Sequence, residues 1–289
     1  MPVREAVRVL RPKQWTKNVI VFAALIFSQS LFDWPLLMRA VGAFASFCLM
    51  ASVIYVINDV RDIEEDRRHP TKRYRPIPSG AVSVGDAASL AAVCGVASIG
   101  LAIYLGGGFV PVLMGYFALM LAYNFGLKHA VILDAIAIAA GFVLRAVAGS
   151  EVIGKDISPW LLICTFLLAL FLAFGKRRQE LRRLREEATD HRRVLAEYTV
   201  PMIDQLLAVV AGATIASYCI YTLSESTVTK FGTTDLVYTV PFVVYGIFRY
   251  YYLVHKAGEG DAPDRVLLTD IPLQVCVALF VLVAGIILY

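Results

Sequence analysis

Nine long apolar runs, nearly free of charge, alternate along this chain with short blocks rich in Lys and Arg. A helix rises 1.5 Å per residue, so about 20 apolar residues cross the roughly 30 Å hydrocarbon core of a bilayer. The runs lie at about 18–32, 37–57, 84–105, 109–126, 131–149, 158–175, 203–223, 236–254 and 271–289. They predict an all-α integral membrane protein with nine transmembrane helices, forming one domain over residues 1–289. Only 17% of residues are charged, against about 25% in soluble domains, and mean hydropathy is +0.68. A disordered chain, a secreted disulfide scaffold and an ordinary soluble enzyme are excluded on that ground. An outer-membrane barrel would alternate apolar and polar residues at period two, whereas these runs are continuous.

The basic residues keep phase with the runs. Five lie in 1–17, six in 58–83, Lys128 stands alone in the fourth connection, eight lie in 176–200 and three in 249–270. The other set of connections holds Arg39, Lys155 and Lys230, and Arg145 falls within the fifth run. By the positive-inside rule the N-terminus and the even-numbered connections are expected in the cytoplasm, with the chain spanning the cell membrane. The first run follows a basic stretch without a small-residue cleavage site, so it is expected to be retained. Cys48, Cys94, Cys164, Cys219 and Cys276 each sit inside an apolar run with no CxxC pairing, which reads as small buried hydrophobes.

The chemistry-bearing residues concentrate after the second run. Placed on a helix at 100° per residue with Asn58 as zero, Asp62 falls at about 40°, Asp66 at about 80° and Asp59 at about 100°. One amide and three carboxylates then share a quadrant, and such a row repels itself unless a cation lies against it. Spaced oxygen ligands suit Mg²⁺, which keeps waters and is shared with substrate phosphates. A solvated helix end balanced by Arg61, Arg67 and Arg68 is the plain alternative. The next stretch, His69-Pro-Thr-Lys72-Arg73-Tyr74-Arg75-Pro76, cannot continue a helix through its prolines. Its cations are either phosphate ligands or contacts to anionic headgroups.

The pattern Asn58-Asp59-x-x-Asp62-x-x-x-Asp66 at the end of the second run resembles the first aspartate-rich motif of the UbiA superfamily of intramembrane prenyltransferases. That resemblance covers essentially the whole chain. It implies nine helices around a central cavity, with a Mg²⁺-bound diphosphate at the cytoplasmic mouth. By position it implies Asn58, Asp62 and Asp66 as metal ligands, with Asp59 close by. The family's second motif carries two aspartates four apart. Here Asp134 is followed at that spacing by Ile138, so the second carboxylate is missing. Asp134 and Arg145 are ionisable groups inside a span, which are costly and usually face a cavity. A buried Asp–Arg pair joining two helices is the other reading.

The Asn58-x₃-Asp62-x₃-Asp66 spacing, the long basic loop and Tyr123-x₄-Lys128-x₅-Asp134 resemble one branch in particular, the decaprenyl-phosphate phosphoribosyltransferases. Arg11-Pro12-Lys13-Gln14-Trp15-Thr16-Lys17-Asn18 and Phe174-Gly175-Lys176-Arg177-Arg178-Gln179-Glu180-Leu181 are similar to that branch as well. The resemblance implies transfer of phosphoribose from phosphoribosyl pyrophosphate to a polyprenyl (decaprenyl) phosphate. It also implies a place in decaprenylphosphoryl arabinose and cell-wall arabinan precursor synthesis, and self-association into a homo-oligomer. Asp59, Asp62, Asp66 and Asp134 are the catalytic candidates. Lys72, Arg73, Tyr74, Arg75 and Lys128 are candidates for the donor's phosphates, and Tyr123 is a further substrate-binding candidate. Lys13, Lys17, Asn18 and Arg145 are candidates for the lipid phosphate.

The basic segment 176–197 reads either as a helix on anionic lipid or as a lid bringing Lys176, Arg177 and Arg178 to the phosphates, with Tyr198 and Asp204 nearby. The acidic stretch Glu259 to Asp270 is a candidate for ribose hydroxyls. Nucleic-acid binding is not expected of a basic segment on a membrane protein. A UbiA-type transfer from a prenyl diphosphate to an aromatic acceptor remains the alternative on the same fold. A transporter would distribute charges near mid-membrane, whereas these cluster at one end.

Overall fold

A computed structural model of the chain describes residues 2–187, 197–256 and 269–289, with side chains to 182 in the first segment. Among the described residues all regular structure is helical. The helices are α1 (Val3–Leu10), α2 (Ala23–Phe27), α3 (Trp34–Arg61), α4 (Ile63–Arg68), α5 (Val84–Leu105), α6 (Phe109–Phe125) and α7 (Leu133–Ile153). They continue as α8 (Pro159–Glu187), α9 (Val200–Leu223), α10 (Glu225–Phe231), α11 (Val240–Lys256) and α12 (Ile271–Leu288). This is a multi-pass membrane protein.

Several long helices begin the same way. An oxygen-bearing side chain caps the helix and a proline follows two positions later: Asp33 with Pro35, Thr199 with Pro201, and Asp270 with Pro272. Each cap accepts the N–H three residues on, from Leu36 at 3.2 Å, Met202 at 3.3 Å and Leu273 at 2.9 Å. The side chain satisfies one orphan donor, and the proline sits where the helix needs no N–H. Ser83 caps α5 alike, accepting from the Asp86 N–H. Gly106 ends α5 and Gly232 ends α10, both at φ 69°.

The expected nine spans are not all long helices. Six described helices reach 18 residues with membrane-grade hydropathy: α3, α5, α7, the Pro159–Arg182 part of α8, α9 and α12. Helix α6 is apolar but has 17 residues, and α10 joins Asp235–Lys256 through a 104° bend that counts as one further span at most. The first expected span is a 3-10 stretch, Pro12–Phe22, followed by the five-residue α2. Side chains along that stretch are tied to α3: the Trp15 indole donates to Ser52 at 3.1 Å and the Asn18 amide to Cys48 at 3.3 Å.

The chain divides into two compact units. The first holds Met1–Phe125 and Gly141–Ile157, the second Gly126–Ala140 and Ser158–Tyr289. The first unit is built on small residues where α3 meets α5. Ser46 and Ser98 are wholly buried, and each hydroxyl donates to the other's carbonyl, at 3.0 and 2.8 Å. Close helix contact through small side chains suits a membrane protein, where packing rather than hydrophobicity drives helix association. Arg39 spans two helix ends, donating to the Leu105 and Val152 carbonyls at 2.6 Å each. These are C-terminal carbonyls of α5 and α7, which have no partner within their own helices. In the second unit α8 and α9 pack along each other, and Phe171 meets Tyr250 edge-on at 5.2 Å.

Candidate functional site

In the first unit, the end of α3 carries the aspartate row. The helix ends at Arg61, Asp62 caps it, and α4 restarts at Ile63. The backbone bonds nevertheless continue, from Asp62 N–H to Asn58 O at 2.9 Å and from Asp66 N–H to Asp62 O at 2.8 Å. The i, i+4, i+8 row of Asn58, Asp62 and Asp66 therefore persists through the break. Asp59 and Asp66 are buried, at 3% and 2% exposure, while Asn58 and Asp62 are half-buried.

Cations meet both buried carboxylates. Nη2 of Arg11 sits between the two oxygens of Asp59. Nη1 of Arg75 bridges Asp59 at 3.1 Å and Asp66 at 2.6 Å, and Lys72 Nζ stands 3.6 Å from Asp66. The result is an alternating line of charge, Arg11–Asp59–Arg75–Asp66–Lys72, in which every buried carboxylate has a cationic partner. The basic loop thus packs on the acidic row, and its prolines turn it back there. Arg73 and Tyr74 are exposed instead, with the guanidinium bonded to the phenol at 2.7 Å.

Among the described residues no three His, Cys, Asp or Glu side chains converge on a common point that would cage a metal. The donor set fits a hard cation that takes only part of its shell from protein. Asn58 and Asp62 offer half-buried oxygens, and Mg²⁺ characteristically completes its shell with water and phosphate oxygens. Nearby on α6, Nδ2 of the buried Asn124 has no hydrogen-bond partner among the described residues, and its neighbour Phe125 lies under the Arg61 guanidinium at 4.7 Å.

A second polar knot lies in the same unit. Arg145 on α7 is 6% exposed; it donates Nε–H to Asn18 at 2.7 Å and Nη2–H to the Tyr116 hydroxyl at 2.7 Å. Its guanidinium lies 4.5 Å from the Tyr116 ring centre and 5.1 Å from that of Phe142. Neutral acceptors and aromatic faces thus hold this buried cation, with no carboxylate in contact among the described residues. Of the residues grouped with it from sequence, Asn18 is brought to Arg145, Lys13 is exposed and Lys17 half-buried.

In the second unit, Asp134 starts α7 wholly buried. It accepts from Arg177 Nε at 2.5 Å, from the Tyr198 hydroxyl at 2.8 Å and from the Ala135 N–H at 2.8 Å. Arg177 is 2% exposed and also meets Glu180 at 2.5 Å. Asp134 thus pairs with Arg177, 43 positions on, rather than with Arg145 of its own helix. The Tyr198 oxygen also takes the N–H of Ile132 at 2.6 Å. Ile132 has φ 68°, a left-handed conformation costly for a β-branched residue, so a strained backbone is held beside Asp134. Burial, above all, pushes the Tyr198 phenol up from its ordinary range.

Lys176 is exposed, Lys128 is buried in a 3-10 turn (Leu127–His129), and Tyr123, in the first unit, is half-buried. Arg178 meets Asp204 at 2.5 Å and the Val254 carbonyl at 2.9 Å, and His255 stands 3.2 Å from Asp204. Those contacts tie α8 to the start of α9 and the end of α11. Asp270 pairs with Arg249 at 2.8 Å. The rest of the expected acidic stretch, Glu259, Asp261 and Asp264, and residues 188–196 lie outside the described residues.

Reasoning from sequence alone missed Arg11 and Tyr116 as site residues. Arg11 heads the quoted Arg11-Pro12-Lys13 motif, and that position was its one available signal.

Comparison with known proteins bears on this geometry. The model of the UbiA prenyltransferase family matches residues 19–269. The decaprenyl-phosphate phosphoribosyltransferase of Corynebacterium glutamicum is 38% identical over 275 residues, covering 93% of this chain and 82% of that protein. The protein of the same name from Mycobacterium tuberculosis is 33% identical over 287 residues, covering 98% and 94%. A solved UbiA homologue from Archaeoglobus fulgidus, bound to GPP and Mg²⁺, superposes with a TM-score of 0.73 at 18% identity, covering 98% of this chain and 99% of that one.

Proposed function

Because this chain belongs to the UbiA prenyltransferase family, we propose that it transfers 5-phosphoribose from phosphoribosyl pyrophosphate to a polyprenyl phosphate, decaprenyl phosphate by the names of its relatives. The observation that carries this is identity of 33–38% over nearly the whole chain to enzymes of that name. The charge pattern supports it, because a carboxylate row laced with arginine and lysine suits a diphosphate brought in with a divalent cation.

Asn58, Asp62 and Asp66 would hold Mg²⁺ at the mouth where the donor's diphosphate enters. The ion, when bound, neutralises charge on the leaving group. Arg75 and Lys72 bind the diphosphate oxygens through charge-assisted bonds and keep the departing group in place. The bond from ribose C1 to the diphosphate oxygen breaks, and diphosphate leaves with the electron pair. A phosphate oxygen of the lipid forms the new C1–O bond. That oxygen is already anionic, so no side chain must remove a proton. Asp134, paired with Arg177, orders the start of α7. The reaction takes place at the cytoplasmic face of the cell membrane and supplies arabinan precursors for the cell wall.

The test is an assay of purified protein in detergent with phosphoribosyl pyrophosphate, a polyprenyl phosphate and Mg²⁺, beside an EDTA control. Metal-dependent diphosphate release with a phosphoribosylated lipid is the expected result. Product formed instead from a prenyl diphosphate and an aromatic acid overturns the reading.

A further inference from the structure

Arg11 is the one cation of the line Arg11–Asp59–Arg75–Asp66–Lys72 that comes from outside the aspartate row and its loop. It stands between α1 and Pro12, with φ 54° and ψ 58°. A left-handed conformation is costly for an L-residue, and it persists only where the surroundings over-determine it. Here they do. The Ser52 hydroxyl donates to the Leu10 carbonyl at 2.8 Å, and the Gln14 N–H to the Arg11 carbonyl at 2.9 Å. The guanidinium then lies 5.0 Å from the Tyr55 ring centre and ends on both oxygens of Asp59. Arg8, one turn earlier, donates to the Tyr74 carbonyl at 3.1 Å, so α1 is also tied to the basic loop.

We propose that Arg11 is a positioning residue for diphosphate recognition: by neutralising Asp59 it keeps Arg75 shared with Asp66 and available to phosphate. The inference rests on the function proposed above. The physics is a competition for one guanidinium. Asp59 is 3% exposed, and a buried ionised carboxylate is costly unless it is paired. With Arg11 in place, Arg75 contacts Asp59 at 3.1 Å and Asp66 more closely, at 2.6 Å. Without Arg11, Asp59 has Arg75 as its remaining cationic partner and draws it away. The loss then falls on whatever Arg75 would otherwise hold, the donor's diphosphate. A purely structural Arg11 would lower stability and leave donor affinity of the folded enzyme unchanged.

The test compares wild type, Arg11→Ala, Arg11→Lys, Asp59→Asn and the double variant Arg11→Ala/Asp59→Asn, each checked for folding by its melting curve. Two readouts are taken. One is KM and kcat for phosphoribosyl pyrophosphate. The other is thermal protection by inorganic pyrophosphate with Mg²⁺, which needs no turnover. Arg11→Ala is expected to raise the donor KM and the half-protecting pyrophosphate concentration about tenfold, with kcat changed far less. Arg11→Lys is expected to recover part of this. On the Asp59→Asn background the Arg11 substitution is expected to add little, since a neutral amide no longer captures Arg75. If Arg11→Ala does not fold, Arg11→Lys and the double variant carry the comparison. Unchanged KM and protection in folded Arg11 variants overturn the inference, as does an equal effect on both backgrounds. Failure of the functional reading looks different: wild type makes no phosphoribosylated lipid, while the pyrophosphate readout still reports on Arg11.

Discussion

Arg177 donates its Nε–H to Asp134 at 2.5 Å, with the two side chains 2% and 0% exposed. Breaking a buried ion pair costs about 3–5 kcal/mol when one charge is stranded. The two partners are not equally stranded here. After Asp134→Asn, Arg177 keeps Glu180 at 2.5 Å. After Arg177→Gln, Asp134 keeps, among the described residues, only the Tyr198 hydroxyl and the Ala135 N–H. Arg177→Gln should therefore destabilise more than Asp134→Asn, by about 1–3 kcal/mol. Unfolding in mixed detergent measures both, and equal losses would mean that Glu180 does not compensate Arg177.

Gly149 on α7 lies against the backbone of the 3-10 stretch. A Cβ there would stand 1.9 Å from the Val21 carbonyl oxygen, which cannot swing aside as a side chain would. Gly149→Ala should cost at least about 1–3 kcal/mol through forced separation of the two segments. Gly100, inside α5, is the control, since a Cβ added there meets nothing within 4 Å. Gly100→Ala should be neutral or stabilising by up to about 1 kcal/mol. Melting temperatures of the two variants in one detergent check the contrast.

The helical membrane class was legible because apolar runs of spanning length have no soluble alternative, and α3, α5 and α9 lie where their runs lie. Residues 18–32 misled. Their composition is apolar, but Pro12 opens a 3-10 stretch whose Trp15 and Asn18 bond to α3, and hydropathy does not record helix type. The aspartate row was legible from its period of four and survives the break at Asp62. Partners distant in sequence were not. Asp134 with Arg177 and Arg11 with Asp59 are 43 and 48 positions apart, and no periodicity links such pairs. Of the five cations in residues 1–17 the sequence singles out Lys13 and Lys17 for the lipid phosphate, and it is the left-handed turn before Pro12 that singles out Arg11.

Asp62 is the half-buried carboxylate of the row on which the proposed metal site most depends. Asp62→Asn removes a charge from the metal shell, and activity should fall further than the roughly 10–100-fold typical of groups one layer out from a metal. Glu64, 70% exposed and bonded to Arg67, points away from the row. Glu64→Gln should stay within about twofold of wild type. Measuring both at saturating Mg²⁺ and again across a Mg²⁺ titration decides the matter. Retained activity in Asp62→Asn would remove it from the metal shell.

Asp270 begins α12 with two tasks on one carboxylate: it caps the helix through Leu273 N–H at 2.9 Å and takes Arg249 at 3.1 and 2.8 Å. The Arg249 bonds, chiefly, hold its carboxyl below the usual carboxylate range. A carboxyl depressed in the folded state adds stability that is full above the unfolded pKa and is lost as pH falls through the folded one. Asp270→Asn separates the tasks, because asparagine still caps but carries no charge. The variant should melt below wild type at neutral pH. The gap should close as pH drops below about 4, where free aspartate begins to protonate, since wild type alone has this ion pair to lose. Melting temperatures of the two proteins across that acidic limb test it, and a gap that stays constant with pH would show that the ion pair contributes nothing there.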